Sequence, residues 1–216
     1  MSYYQIVSNI NDLLGNKGLL KLPNYIIEKF VETDHIKRVI DEIVDKYISG
    51  ENILIEGPPG VGKTAILIIV LKKILDRGFK IAYLLDGATN ISNKHISEGI
   101  LIFCDDLTKY NAQTIRSIIV NRVTGIIATA RSKELDYLEK KGIFVRKYFT
   151  SFKIQKMQQH VLQKILINYA NAENITVDEE AINVIVKKAD GLPIYCLLYT
   201  SPSPRDLSTS RMPSSA

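Results

Sequence analysis

Eight consecutive residues, Gly57-Pro58-Pro59-Gly60-Val61-Gly62-Lys63-Thr64, carry the chemistry that can be read most directly from this chain. They match G-x-x-x-x-G-K-[ST], in which glycines let the backbone turn with its N–H groups pointing inward. A helix starting directly after the turn adds the positive end of its dipole, and the two together suit a phosphate. Lys63 supplies a cation for the β- and γ-phosphates, and the Thr64 hydroxyl supplies a ligand for Mg2+. With Ala65 at the start of the helix, this stretch is the expected site of a nucleoside triphosphate.

A triphosphate site that also does chemistry needs a second oxygen ligand for the metal and a group that orients water. "LIFCDDL" offers both in adjacent positions: Asp105 for Mg2+, largely through its waters, and Asp106 for the attacking water. "IIATAR" ends in Thr129 and Arg131, and a polar or cationic group at the carboxyl end of a strand can sense a γ-phosphate. Arg146, in "GIFVRKYF", stands where an arginine would reach the nucleotide of a neighbouring subunit. His35, His95 and His160 are scattered singly, and Cys104 and Cys196 have neither disulfide nor zinc spacing, so no other metal centre is expected.

Hydrophobic periodicity predicts the elements that must position these groups. Ile36, Val39, Ile40, Ile43, Val44, Tyr47 and Ile48 repeat at three and four, as a helix requires. Apolar runs at 52–56, 80–85, 99–104, 125–130 and 148–154 read as strands, with helices over 62–76, 112–123 and 132–141 between them. Strands apolar along their whole length, alternating with helices, argue for an α/β core with a parallel sheet covered on both faces. After Ile154 only amphipathic helices follow, the last opening with a capping box from Thr176 to Glu179. The expected organisation is a helical or irregular lead-in over 1–30, a core over 31–154, a helical lid over 155–195 that is cut short, and a tail over 196–216.

The tail changes character abruptly, taking three of the seven prolines and losing apolar periodicity. By composition it reads as a disordered Ser/Pro segment. Suitable codons for Cys196 to Asp206 and for Ser210 to Ala216 also resemble the two ends of a transposase-based sequencing adapter in one frame. The expectation is therefore that residues 196–216 are translated adapter DNA and that the natural chain continues differently beyond Tyr195. Elsewhere the composition, 46% hydrophobic and 24% charged, is that of a soluble globular protein. A net charge of +5 permits contact with nucleic acid without demanding it. The longest apolar run, Ala65 to Leu71, is closed by Lys72 and Lys73, too short for a membrane span. The start "MSYYQIVSNIND" lacks the features of a secretory signal, which makes the cytoplasm the expected compartment.

In order and spacing, "GPPGVGKT", "LIFCDDL", "IIATAR" and "ADGLPIY" resemble a P-loop ATPase of the AAA+ and STAND group, particularly the AAA-type ATPases common in archaea. The resemblance covers about residues 30 to 195. It implies a three-layer P-loop core with a five-stranded sheet in the order 5-1-4-3-2, followed by a helical lid. It also implies that Arg131 meets the γ-phosphate, that Pro193 contacts the adenine, and that Arg146 acts as an arginine finger. Asp106 falls where most AAA+ ATPases carry a glutamate, one methylene longer, and the lid arginine called sensor 2 has no counterpart before the tail. Three readings follow: an ATP-hydrolysing switch or motor, working as a homo-oligomer or on a protein partner; a DNA-associated ATPase of initiator or helicase-loader type; and a nucleotide-binding scaffold with negligible turnover.

Overall fold

Runs of Ile, Leu, Val and Ala become strands here because both of their faces are covered. The computed structural model describes residues 4–15, 18–20, 22, 26–88, 91 and 93–200. It divides the chain into two compact units, Met1–Gln155 and Lys156–Ala216. In the first, β1 (Tyr4–Val7), β2 (Ile53–Gly57), β3 (Lys80–Leu84), β4 (Ile100–Cys104), β5 (Ile126–Arg131) and β6 (Thr150–Lys153) form one sheet in the order β1-β3-β4-β5-β2-β6. Every residue of β2 and β4 is buried, whereas the edge strand β6 alternates between half-buried and exposed positions.

The sheet corrects the expected topology. It has six strands and not five, in the order β1-β3-β4-β5-β2-β6; without the added β1, the five parallel strands β6-β2-β5-β4-β3 lie in the expected 5-1-4-3-2 order. The additional strand, β1, lies in the stretch expected to be a helical or irregular lead-in and pairs antiparallel with β3, Tyr4 opposite Leu84 and Val7 opposite Ile81. The remaining strands are parallel and lie in the sequence β3-β4-β5-β2-β6. β1 escapes a periodicity reading because it is four residues long and only Val7 is buried. Its identity as a strand comes from a partner more than seventy residues away.

Alternate residues of the strands face opposite layers. Leu54, Ile102, Cys104, Ile126, Ala128 and Ala130 pack with Ile115 and Ile118 of α4 (Ala112–Val120) and Leu135 of α5 (Ser132–Lys140). α1 (Asp34–Ile48) and α2 (Lys63–Asp76) pack against each other and against β2, with α2 also reaching β3 and β5. α1 starts at Thr33, whose side chain accepts from the Ile36 N–H, and buries Ile40, Ile43, Val44 and Tyr47. Each such side chain contributes roughly 1.5–3 kcal/mol on leaving water. Tyr47, fully buried, donates its hydroxyl to the Ile102 carbonyl at 2.5 Å and so ties α1 to the central strand β4. Among the described residues one short helix, α3 (Lys94–Ser97), lies in the link between β3 and β4.

The second unit contains α6 (Gln159–Ala172), α7 (Glu179–Ala189) and α8 (Pro193–Thr200), with Leu162, Leu166, Val186, Ala189 and Cys196 buried between them. Asp178, and not Thr176, caps α7, accepting from the Ala181 N–H at 2.7 Å. The proposed tail is corrected at its start: α8 runs on through residues 196–200, and Cys196 is part of the unit's core. Residues 201–216, the rest of the expected tail, lie outside the described residues. Among the described residues no helix is long and apolar enough to cross a membrane.

Candidate nucleotide site

Strand register brings the candidate residues together. In the β2–β5 pair Gly57 stands opposite Arg131 and Ile55 opposite Thr129, and in the β4–β5 pair Cys104 stands opposite Ala128. The loop after β2, the acidic pair after β4 and the end of β5 therefore share one edge of the sheet. Ligands of open α/β sheets bind at this carboxyl edge.

The loop holds its shape through two kinds of glycine. Gly60 and Gly62 have φ of 78° and 98°, a left-handed backbone that side chains disfavour, and Gly62 is the N-cap of α2. Gly57 is needed for space, since a Cβ there would come within 2.5 Å of the Ile154 carbonyl oxygen. Val61 is fully buried and anchors the turn, Pro58 is half-buried and Pro59 exposed. No side chain caps α2, and among the described residues the N–H groups of Gly60, Val61, Gly62, Lys63 and Thr64 have no internal acceptor. Such a row of donors at a helix start is an anion site. Ala65, half-buried, lies in the first turn of α2 behind them.

Lys63 folds over the loop, donating to the carbonyls of Gly57 at 3.1 Å and Pro58 at 2.7 Å. Burial lowers its pKa from the ordinary lysine value; Asp106 opposes that shift, Arg131 adds to it, and Asp105 and Glu134 oppose it again. These five groups thus share one field. Thr64 donates its hydroxyl to Asp105 Oδ1 at 2.9 Å, and Thr129 donates to the same oxygen at 2.6 Å. Thr129 also accepts from the Asp106 N–H at 2.7 Å, so this buried threonine fixes both aspartates. Thr64 and Asp105 fit a magnesium ion as two oxygens of a set that phosphate and water complete. They are no cage by themselves: among the described residues no group of three or more His, Cys, Asp or Glu is assembled to hold a metal.

Asp106 has a left-handed backbone (φ 54°) and opens a 3-10 turn over Leu107–Lys109. Its carboxylate accepts from Thr108 Oγ1 at 2.6 Å and faces Lys109 Nζ and Arg131 Nε, each at 3.1 Å. Arg131 also reaches Glu134 at 3.5 Å. Thr108 and Lys109 were not expected at the site; their signal was only their position two and three residues after Asp106, within reach once that turn forms.

Arg146 departs from the arginine-finger expectation. All of its donor nitrogens are engaged within its own chain: Nε and Nη2 with Glu56, Nη1 with Asp136 and Glu139, and Nη2 also with the Ser132 carbonyl. The hydrogen bonds to Glu56, ahead of those to Asp136, push its pKa above the ordinary arginine value against the effect of burial. Glu56, wholly buried in β2 beside Gly57, had no role in the sequence reading. Pro193 belongs to the second unit, where it is the buried first residue of α8.

The family model described as Novel STAND NTPase 3 matches residues 30–172. The chain is 24% identical over 184 residues to the Holliday junction branch migration complex subunit RuvB of Chlorobaculum parvum, covering 74% of this chain and 54% of that protein. It therefore spans about half the length of this curated relative. Domain III of the replication initiation protein DnaA from Thermotoga maritima superposes with a TM-score of 0.60 at 13% identity, over 88% of this chain and 91% of that one. AMPPCP-bound DnaA from Aquifex aeolicus gives 0.54 at 15% identity, over 87% and 68%. At such identities these two structures establish a shared fold.

Proposed function

This chain belongs to the Novel STAND NTPase 3 family, and from that premise we propose that it binds ATP with Mg2+ at residues 57–65 and hydrolyses it as a nucleotide-driven switch or motor. One observation carries the reading: a continuous run of contacts from Thr64 through Asp105 and Thr129 to Asp106, at the mouth of a loop whose amides have no internal acceptor. A bound Mg2+, held by Thr64 and Asp105, would neutralise phosphate charge. Lys63 exchanges its two carbonyl contacts for phosphate oxygens, Asp106 orients the water, and Arg131 turns to the γ-phosphate. Arg146 is assigned to holding β2 in place rather than to a neighbour's nucleotide. Pro193 keeps its proposed adenine contact; replacing it with Ala should weaken ATP binding while leaving inorganic triphosphate binding unchanged. The cytoplasm is the proposed compartment, and adapter DNA the proposed origin of residues 196–216, which resequencing of the locus decides.

Calorimetric titration with Mg–ATP tests the core of this reading. Wild-type protein should bind Mg–ATP and release phosphate on incubation, and Lys63→Met should bind far more weakly and lose phosphate release. Wild-type protein that does not retain Mg–ATP overturns it. Turnover that is negligible in wild type and unaltered in Asp106→Asn would leave a nucleotide-binding scaffold instead.

A second reading, an ATPase acting at DNA, is favoured by the likeness to RuvB and DnaA and by the net charge of +5. It predicts duplex binding that weakens steeply with salt. No binding at low ionic strength removes it. Assembly into a homo-oligomer is a proposal of the same standing, checked by sedimentation with and without nucleotide.

A further inference from the structure

Asp106, the expected water-orienting carboxylate, already faces three partners. Thr108 donates to Oδ1, and Lys109 and Arg131 both form ion pairs with Oδ2 at 3.1 Å. Losing one of the two cations would open Oδ2 to a water.

The two cations are not equivalent. Lys109 follows Asp106 in the same 3-10 turn and is two-thirds exposed, so it remains wherever Asp106 is. Arg131 ends β5 opposite Gly57, on the same edge as the phosphate loop, and Lys63 lies within its field. Its nearest approach to Asp106 is Nε to Oδ2 at 3.1 Å. A γ-phosphate beside Lys63 offers the same planar guanidinium a two-point partner of higher charge. A diphosphate offers nothing at that position.

We infer that Arg131 is shared between Asp106 and the γ-phosphate, so that a triphosphate draws it away and frees Asp106 to orient water, while Lys109 and Thr108 keep that carboxylate in place. The inference rests on the nucleotide reading above and adds a regulation to it: the water-orienting group is engaged by Arg131 with ADP and released only with a triphosphate. Lys109 is then a positioning residue, acting through Asp106.

The test is a binding cycle on the full chain with Mg2+ present, using a non-hydrolysable ATP analogue and ADP, each titrated by calorimetry. Asp106→Asn abolishes the competing partner, so the analogue should bind about tenfold tighter, within the usual range of coupling between two equilibria, with ADP unchanged. Lys109→Met, at an exposed position that does not threaten folding, should act in the opposite sense: Asp106 holds Arg131 more firmly and the analogue binds several-fold more weakly. In an Arg131→Gln background both effects should vanish. A plain field effect of the changed charges would survive there, and its survival overturns the inference. So does unchanged analogue affinity in both single variants. Wild type that binds neither ligand overturns the nucleotide reading itself, and wild type that binds both without these shifts overturns only the exchange.

Discussion

Two arginines at the same sheet stand among carboxylates and are held in opposite ways. Arg146 uses every N–H it has, twice on Glu56, and its side chain is 23% exposed with a partner at 0%. Arg131 is 37% exposed, comes to 3.1 Å of Asp106 at its nearest, and reaches Glu134 only at 3.5 Å. The first cluster surrounds the strand that leads into the phosphate loop, pairing Glu56 of β2 with Asp136 and Glu139 of α5 through one guanidinium. The second faces the place where a phosphate would come. Saturated and centred on a wholly buried carboxylate, the first is a fixture, because removing the arginine strands Glu56 where water cannot hydrate it. In the second, the half-exposed Arg131 can change partners at smaller cost, because Lys109 still faces the buried Asp106.

The largest expected effect breaks the fixture. Arg146→Ala leaves Glu56 charged and buried without its main partner, and unfolding by denaturant should show a loss of about 3–5 kcal/mol. Arg146→Lys should recover little of it, since an ammonium cannot reproduce the two-point contact. A loss as small as that of an exposed pair, about 0–1 kcal/mol, would erase the distinction between the two clusters.

Next comes Lys63→Met, which should weaken Mg–ATP binding by about a hundredfold in calorimetry, within the about 2–5 kcal/mol seen when a buried charged partner is truncated. Melting temperature should move little by comparison. Arg131→Gln is milder again: about tenfold weaker binding of a triphosphate analogue, with ADP affinity unchanged and stability altered by no more than about 1 kcal/mol. Equal losses for the two nucleotides would mean that Arg131 does not distinguish the γ-phosphate.

The smallest effect lies in the pH dependence of stability. Burial holds Lys63 below the usual lysine value, so between its folded pKa and 10.5 the unfolded chain binds more protons than the folded one. Stability contributed by this residue therefore rises with pH through that window, is complete above 10.5, and is lost as pH falls through the folded pKa. Wild type should gain on Lys63→Met as pH is raised toward that value, measured as the difference of two denaturant curves. A difference that is flat or falls over that range would show that the loop leaves Lys63 solvated.

Much of the phosphate side was legible because its chemistry is local. Gly60 and Gly62 are required by backbone conformation, Lys63 and Thr64 by their place at a helix start, and all lie within one short stretch. Gly57 was legible as a pattern, but its reason, the approach of the Ile154 carbonyl, was not. Asp105 and Thr129 could be named from the ends of apolar runs; that they share a hydrogen bond follows from the register of β4 against β5. The expected capping box of α7 failed by two residues, because Asp178 and Thr176 are both competent caps and only the path of the chain chooses between them.

The amino-acid sequence by itself determined the alternation of strand and helix, the phosphate loop and the aspartates after β4, since periodicity and turn chemistry act over a few residues. Only the tertiary structure decided that Tyr4–Val7 joins the sheet, that Arg146 closes on Glu56, and that Asp106 is claimed by Arg131 and Lys109. Edge pairing and the choice of a charge partner depend on distances across the fold. Glu56 and Arg146 are separated by 90 residues along the chain, and no local pattern records that they meet.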